Sequence, residues 1–173
     1  MLIVETERLS IRELDPSTDA AFINSLLNTP KFVEFIGDRG VRTDDQASAF
    51  IEERYCESYR RNGYGLYAVE LKEARTQIGM CGFVRRENLD APDIGFAYLP
   101  EYEGKGYGFE AARAMMTYGQ QQLGFYRVLA ITTPENHASG GLLEKLGFTF
   151  ESLIDDAEGK PIRLFSYVYP DAD

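Results

Sequence analysis

Apolar positions along the chain switch between two periods, and the switches outline the fold. Leu9 and Ile11 alternate with Ser10 and Arg12, which predicts a short strand. After the turn signal Asp15-Pro16-Ser17, Phe22, Ile23, Leu26 and Leu27 recur at helical spacing, and Asn28-Thr29-Pro30 stops that helix. Phe32, Phe35 and Ile36 fit a second, short helical turn, followed by the loop Gly37-Asp38-Arg39-Gly40. Thr43-Asp44-Asp45-Gln46 reads as a capping box, in which hydroxyl and amide satisfy orphan backbone donors reciprocally. Behind it Ala47, Phe50, Ile51, Arg54, Tyr55, Ser58 and Tyr59 share one side of an amphipathic helix running to about Arg61.

Beyond Gly63-Tyr64-Gly65 the period becomes that of strands. Runs at 66–71, 78–85 and 93–99 are separated by turn-rich segments and predict an antiparallel meander. The grammar then changes to strand, glycine loop, helix: Gly104, Gly106 and Gly108 lead into a helix over 109–122. A strand over 127–133, a helix over 139–146 ended by Gly147, and a hairpin of 148–152 with 162–169 around the acidic turn 155–160 complete the chain. No linker or composition break divides it, so residues 1–173 read as one α+β domain.

Charge and composition narrow the role. With 18 Lys+Arg against 28 Asp+Glu the net charge is -10, which argues against coating nucleic acid and is compatible with cationic acceptors such as amines. Two cysteines in unlike contexts, Cys56 and Cys81, and a single histidine, His137, give no disulfide framework and no metal centre. No apolar stretch approaches the ~20 residues that cross a bilayer, and the acidic start lacks a signal peptide's basic region. The expectation is a cytoplasmic protein without a membrane partner; monomer and homodimer both stay open.

Chemistry concentrates in residues 94–112, IGFAYLPEYEGKGYGFEAA. Glycines at alternate positions remove Cβ atoms where the backbone turns sharply, and the N–H groups of 103–108 then open a helix. Such an opening has unpaired donors and partial positive charge, suited to a diphosphate, and Lys105 adds a cation. A P-loop is excluded because Lys105 is followed by Gly106, and a dinucleotide fingerprint is excluded by the spacing and the preceding meander.

These residues resemble a family. Glu103-Gly104-Lys105-Gly106-Tyr107-Gly108 is similar to the Q/R-x-x-G-x-G/A motif of the GNAT N-acetyltransferase superfamily. Pro134-Glu135-Asn136-His137-Ala138-Ser139 with Leu142-Leu143-Glu144-Lys145-Leu146-Gly147-Phe148 resembles its second cofactor segment, and Glu5-Thr6-Glu7-Arg8-Leu9-Ser10-Ile11-Arg12 resembles the start of the ribosomal-protein N-terminal acetyltransferase (RimJ/RimL-like) branch. The resemblance implies a mixed, largely antiparallel sheet splayed at the cofactor strand, with helices on both faces. It implies acetyl-CoA as donor, with pantetheine adding to the strand near Phe96, Ala97 and Tyr98, and the diphosphate on the loop from Glu103 to Gly108. Asn136 and Ser139 would approach the pantetheine arm and sulfur. Glu103 departs from the motif, since a carboxylate beside a diphosphate is unfavourable unless it turns away or pairs with Lys105 or another cation.

Acetyl transfer needs a neutral amine, a polarised carbonyl and a stabilised thiolate. A protein α-amine, with a pKa of ~8, needs only a modest base. Ser139 is the candidate for the leaving thiolate, as a hydroxyl at a helix start that also suits an N-cap. Asn136 is a candidate to orient substrate or cofactor, or a turn residue. Asp93 is the candidate base, against a plain strand-end acid; Glu34 is a weaker one. Glu110 reads as a first-turn acid and His137 as a surface neighbour, while Tyr64 and Tyr67 are placed at the border of an acceptor pocket. The expected acceptor is a protein N-terminus or a small amine. The competing reading is a non-catalytic acyl-CoA-binding sensor or scaffold.

Overall fold

A computed structural model describes residues 1–170. It holds one eight-stranded sheet in the order β1-β2-β3-β4-β5-β6-β8-β7. The strands are β1 (Leu2–Glu5), β2 (Leu9–Arg12), β3 (Leu66–Leu71), β4 (Gln77–Val84), β5 (Asp93–Tyr98), β6 (Arg127–Thr132), β7 (Thr149–Asp155) and β8 (Pro161–Val168). The helices are α1 (Ala20–Leu27), α2 (Pro30–Phe35), α3 (Asp44–Phe50), α4 (Glu57–Asn62), α5 (Tyr107–Gln121) and α6 (His137–Leu146). Neighbouring strands pair antiparallel, apart from β5 and β6, which run parallel. The mixed, largely antiparallel sheet, with the β3–β5 meander and the closing β7–β8 hairpin, follows the sequence expectation. Strand β1 does not: its residues carry no clean alternation, and its pairing with β2 supplies the order.

Helices cover both faces. On one, Ala111, Ala112, Met115 and Met116 of α5 and Leu143 of α6 pack on Ile78, Cys81, Phe83, Ile94 and Val128. On the other, Ile23, Leu26, Leu27, Ala47, Ile51 and Tyr55 pack on Ala68 and Met80. The second layer begins where the Thr43 hydroxyl accepts from Gln46 N at 3.1 Å. The Gln46 side chain reaches one residue further back than a capping box requires, accepting from Arg42 N at 2.7 Å. The helix from Thr43 to Gly63 is not uniform, because Ile51–Cys56 is a π-helical turn between α3 and α4. Gly63, at φ +79°, closes it in the left-handed region that glycine tolerates. Past the π turn Tyr59 stacks on Tyr67, ring centres 5.2 Å apart, and its hydroxyl accepts from Leu14 N and donates to Leu66 O.

One buried charge ties this layer to the sheet. Asp19, fully buried, accepts from both terminal nitrogens of Arg12 at 2.8 and 2.9 Å, from Asp15 N and from Gln77 Nε2. Burial pushes the Asp19 carboxyl up, but Arg12 and these donors outweigh it and hold it below the usual range. Arg12→Ala leaves this carboxylate uncompensated, and by analogy with broken buried pairs it is expected to cost about 3–5 kcal/mol. Urea unfolding measures this; a loss under about 1 kcal/mol would show that water takes the arginine's place.

Candidate functional site

The two parallel strands meet at one register point, Asp93 opposite Leu129. Leu129 N donates to Pro92 O at 2.9 Å there, and no further pair follows along the described strands. Beyond it β5 keeps β4 on one side only. Leu99 N donates to Ile78 O at 2.9 Å, so alternation turns the N–H groups of Ala97 and Gly95 toward β4 and those of Phe96 and Tyr98 toward the open side. Phe96 and Tyr98 therefore turn their backbone N–H groups to the unpaired side of β5. Ala97, between them, differs: its backbone pairs with Met80 of β4 and its methyl faces the α1–α4 layer.

Each of the two strands runs on into a helix N-terminus. After β5, a 3-10 turn at Pro100–Tyr102 leads into the glycine loop. Gly104 at φ +74° and Gly106 at φ +85° turn the chain with a backbone that L side chains rarely adopt. Gly106 is the N-cap of α5 and brings no side chain to it, and the first bond back is Glu110 N to Gly106 O at 3.1 Å. The N–H groups from Gly106 to Phe109 are thus left without intrahelical partners. A Cβ on Gly108 would touch the Tyr98 ring at 3.4 Å and Leu142 at 3.6 Å, so this first turn lies close to α6. Lys105 sits 5.9 Å from the Tyr102 ring centre. Glu103 does not pair with Lys105; it bonds Lys31 of α2 at 2.5 Å, which places a cation beside the carboxylate.

On the other lip, Asn136 is the N-cap of α6 and its Oδ1 accepts from Ser139 N at 3.2 Å. Ser139 is consequently in the first turn and is not the cap, which leaves its half-buried hydroxyl out of capping. Arg163 of β8 braces the turn by donating to Thr132 Oγ1 and to Asn136 O, each at 3.2 Å. A Cβ on Gly140 would lie 2.6 Å from the Arg163 guanidinium, so a side chain there would displace the arginine from these bonds. Thr133 Oγ1, just past the end of β6, is buried with no partner among the described residues, and so is the Tyr98 hydroxyl on β5.

At the vertex Asp93 is 1% exposed and accepts from Arg86 Nε at 3.0 Å. Burial raises its carboxyl to about 6, with Arg86 pulling the other way. By alternation Asp93 shares the sheet face of Ala97, the side of α1–α4. Glu34 is exposed on α2, and His137 is exposed as the first residue of α6. Tyr64 and Tyr67 do not border a pocket: both are buried in the core on the α5 side, Tyr64 edge-on to Phe83 and Phe125. Glu110 is more than a first-turn acid, since it accepts from Thr6 Oγ1, Arg8 N and Arg8 Nε. Lys31, Arg86 and Arg163 also entered no motif; each acts on a partner distant in sequence or outside the motif's spacing.

An unpaired strand edge beside a helix opening, with two small-residue turns and an orphaned hydroxyl, fits an extended amide-bearing arm that ends in a diphosphate. The arm's amides can pair with Phe96 and Tyr98, and the diphosphate can take the free N–H groups of α5.

Comparison with known proteins agrees with that geometry. Residues 8–149 match the acetyltransferase (GNAT) domain. An uncharacterized N-acetyltransferase, p20, of Bacillus licheniformis is 30% identical over 161 residues, 92% of this chain and 89% of its own. The ribosomal protein uS5-alanine N-acetyltransferase of Escherichia coli is 35% identical over 95 residues, 54% of this chain and 47% of its own. Among solved structures, the ribosomal L7/L12 α-N-protein acetyltransferase RimL in complex with coenzyme A superposes with a TM-score of 0.74 at 17% identity, covering 97% of this chain and 98% of that one. With a domain match over most of its length, this chain belongs to the GNAT acetyltransferase family.

Proposed function

We propose that this acetyl-CoA-dependent acetyltransferase acts on the α-amine at the N-terminus of a protein. The observation that carries the site is the free edge of β5 running into the glycine loop and the α5 N-terminus. The acceptor class is supported by the part-length similarity to the uS5-alanine acetyltransferase. It is also supported by the chemistry of the vertex, because an α-amine is the protein amine easiest to deprotonate near neutrality.

Pantetheine lies along Phe96 and Tyr98, and the diphosphate takes the backbone donors of residues 104–108. A free N–H of β5 polarises the thioester carbonyl as negative charge develops on its oxygen. The neutral amine nitrogen attacks the carbonyl carbon and the carbon–sulfur bond breaks. Ser139 donates a hydrogen bond to the departing thiolate, and Asn136 orients the arm while holding Ser139 N. Asp93, ionised at pH 7 and more basic than an ordinary carboxylate, receives the amine proton through water. Glu103 is tolerated beside the diphosphate because Lys31 cancels its charge, although the pair is too exposed to contribute much stability.

Thiol release from acetyl-CoA is expected with peptides bearing a free N-terminus and not with N-terminally blocked peptides bearing lysine; the reverse pattern contradicts the acceptor assignment. Asp93→Asn is expected to lower kcat/KM by about 10²-fold and to erase an acid limb near pH 6. The folded-state pKa of Asp93 lies above the unfolded ~3.9, so its ionisation lowers stability as pH rises from about 4 through about 6. Asp93→Asn is accordingly no less stable than the parent at pH 8, and a collapsed melting temperature there would count against this role. Glu103→Gln frees Lys31 and removes a carboxylate, and calorimetry is expected to show coenzyme A binding roughly threefold tighter with a steeper salt dependence; weaker binding would mean that Glu103 contributes a contact of its own.

A further inference from the structure

Resting on the reading of the loop as a diphosphate site, we propose that Arg8 is a positioning residue that fixes the orientation of the Lys105–Gly106 peptide before the cosubstrate arrives. The loop is intrinsically soft. Gly104 and Gly106 flank Lys105, both at positive φ, and a Cβ on Gly104 would meet nothing within 4 Å. A loop of this kind samples both senses of the peptide between its glycines unless something holds one carbonyl.

Arg8 supplies that hold. Its Nη1 donates to Lys105 O at 3.1 Å, and its guanidinium lies 4.4 Å from the centre of the Tyr107 ring. Glu110 fixes the arginine in turn: Arg8 Nε donates to Oε1 at 2.7 Å and Arg8 N donates to Oε2 at 3.0 Å. The Thr6 hydroxyl donates to the same Oε2 at 2.6 Å and accepts from Leu9 N at 3.0 Å, so the bend between β1 and β2 is rigid as well. The clamp therefore runs from the first helical turn, through the chain's opening segment, and back to the loop that precedes that turn.

A trans peptide sets its C=O and N–H in opposite directions. Drawing Lys105 O toward Arg8 sends Gly106 N–H away from Arg8, free to donate to an anion. With the peptide reversed, a carbonyl oxygen would face the diphosphate in place of a donor, and the site would lose one bond and gain a repulsion. Arg8 acts through the loop, so its effect belongs to ligands that carry the diphosphate and not to the thioester end.

The test uses Arg8→Ala and, as a milder break in the same clamp, Thr6→Val, with Arg127→Ala as a control that removes the ion pair to Asp90 elsewhere. Calorimetry with coenzyme A and with 3′-dephospho-coenzyme A is paired with kinetics on acetyl-CoA and on S-acetylpantetheine, which lacks the diphosphate. Arg8→Ala is expected to weaken both coenzymes equally, by about tenfold, and to raise the KM for acetyl-CoA similarly while kcat changes by less than about twofold. Thr6→Val shifts affinity the same way by roughly threefold, and Arg127→Ala shifts nothing. The KM for S-acetylpantetheine is expected to stay within about twofold in Arg8→Ala. An equal loss with S-acetylpantetheine would mean a general structural role, and a greater loss with coenzyme A than with the dephospho form would mean direct contact with the 3′-phosphate; either overturns the proposal. Unchanged affinity in both variants, where the parent binds, sinks the clamp alone, whereas a parent that binds neither coenzyme sinks the functional reading and the clamp with it.

Discussion

The architecture turns on the parting of β5 and β6 after a single register point. β5 and β6 each lead into a helix on the same face of the sheet, and the first turn of α5 lies against Leu142 of α6. The strands pair at Asp93 and Leu129 and part beyond that point, toward these two helices. The gap leaves the outward backbone groups of Phe96 and Tyr98 without a strand partner, where a ligand can pair with them.

The chemistry is distributed around that gap according to distance from its vertex. At the closed end Asp93 is shielded from bulk solvent, and burial makes it a stronger base than a surface carboxylate. At the open end backbone donors from α5 and the capped turn before α6 face one another, suited to charge and to hydrogen bonds. Arg163 holds one lip in place and Arg8 the other, each by donating to a main-chain carbonyl. Both lips are thereby set by side chains of strands or turns that come from other parts of the chain, a form of preorganisation that lowers the ordering cost of binding.

Local signals in the sequence were legible where local physics decides the outcome. The β3–β5 meander, the Thr43 cap, the glycine stops at Gly63 and Gly147 and the glycine loop all announce themselves within a few residues. Strand β1 did not, because its stability comes from pairing with β2 and from α5 packed over it. The π turn at Ile51–Cys56 leaves the helical stripe nearly unchanged, so periodicity cannot reveal it. Lys31 with Glu103 spans 72 positions and Arg8 with Glu110 spans 102, and no local pattern encodes such pairs. Tyr64 and Tyr67 were misplaced for a related reason: strand alternation shows that a face is buried but not which helix buries it. The backbone direction at Ala97 was hidden by the same limit, since it depends on register with β4.

The central claim is that the cosubstrate adds to the sheet along the free edge of β5. Amide hydrogen exchange read by NMR, residue by residue, with and without saturating coenzyme A, addresses it directly. The amides of Phe96 and Tyr98 should exchange quickly in the free protein and slow markedly on binding, while that of Ala97, already bonded to β4, should be slow in both states. Saturable binding that leaves Phe96 and Tyr98 unprotected would place the ligand elsewhere and contradict the claim.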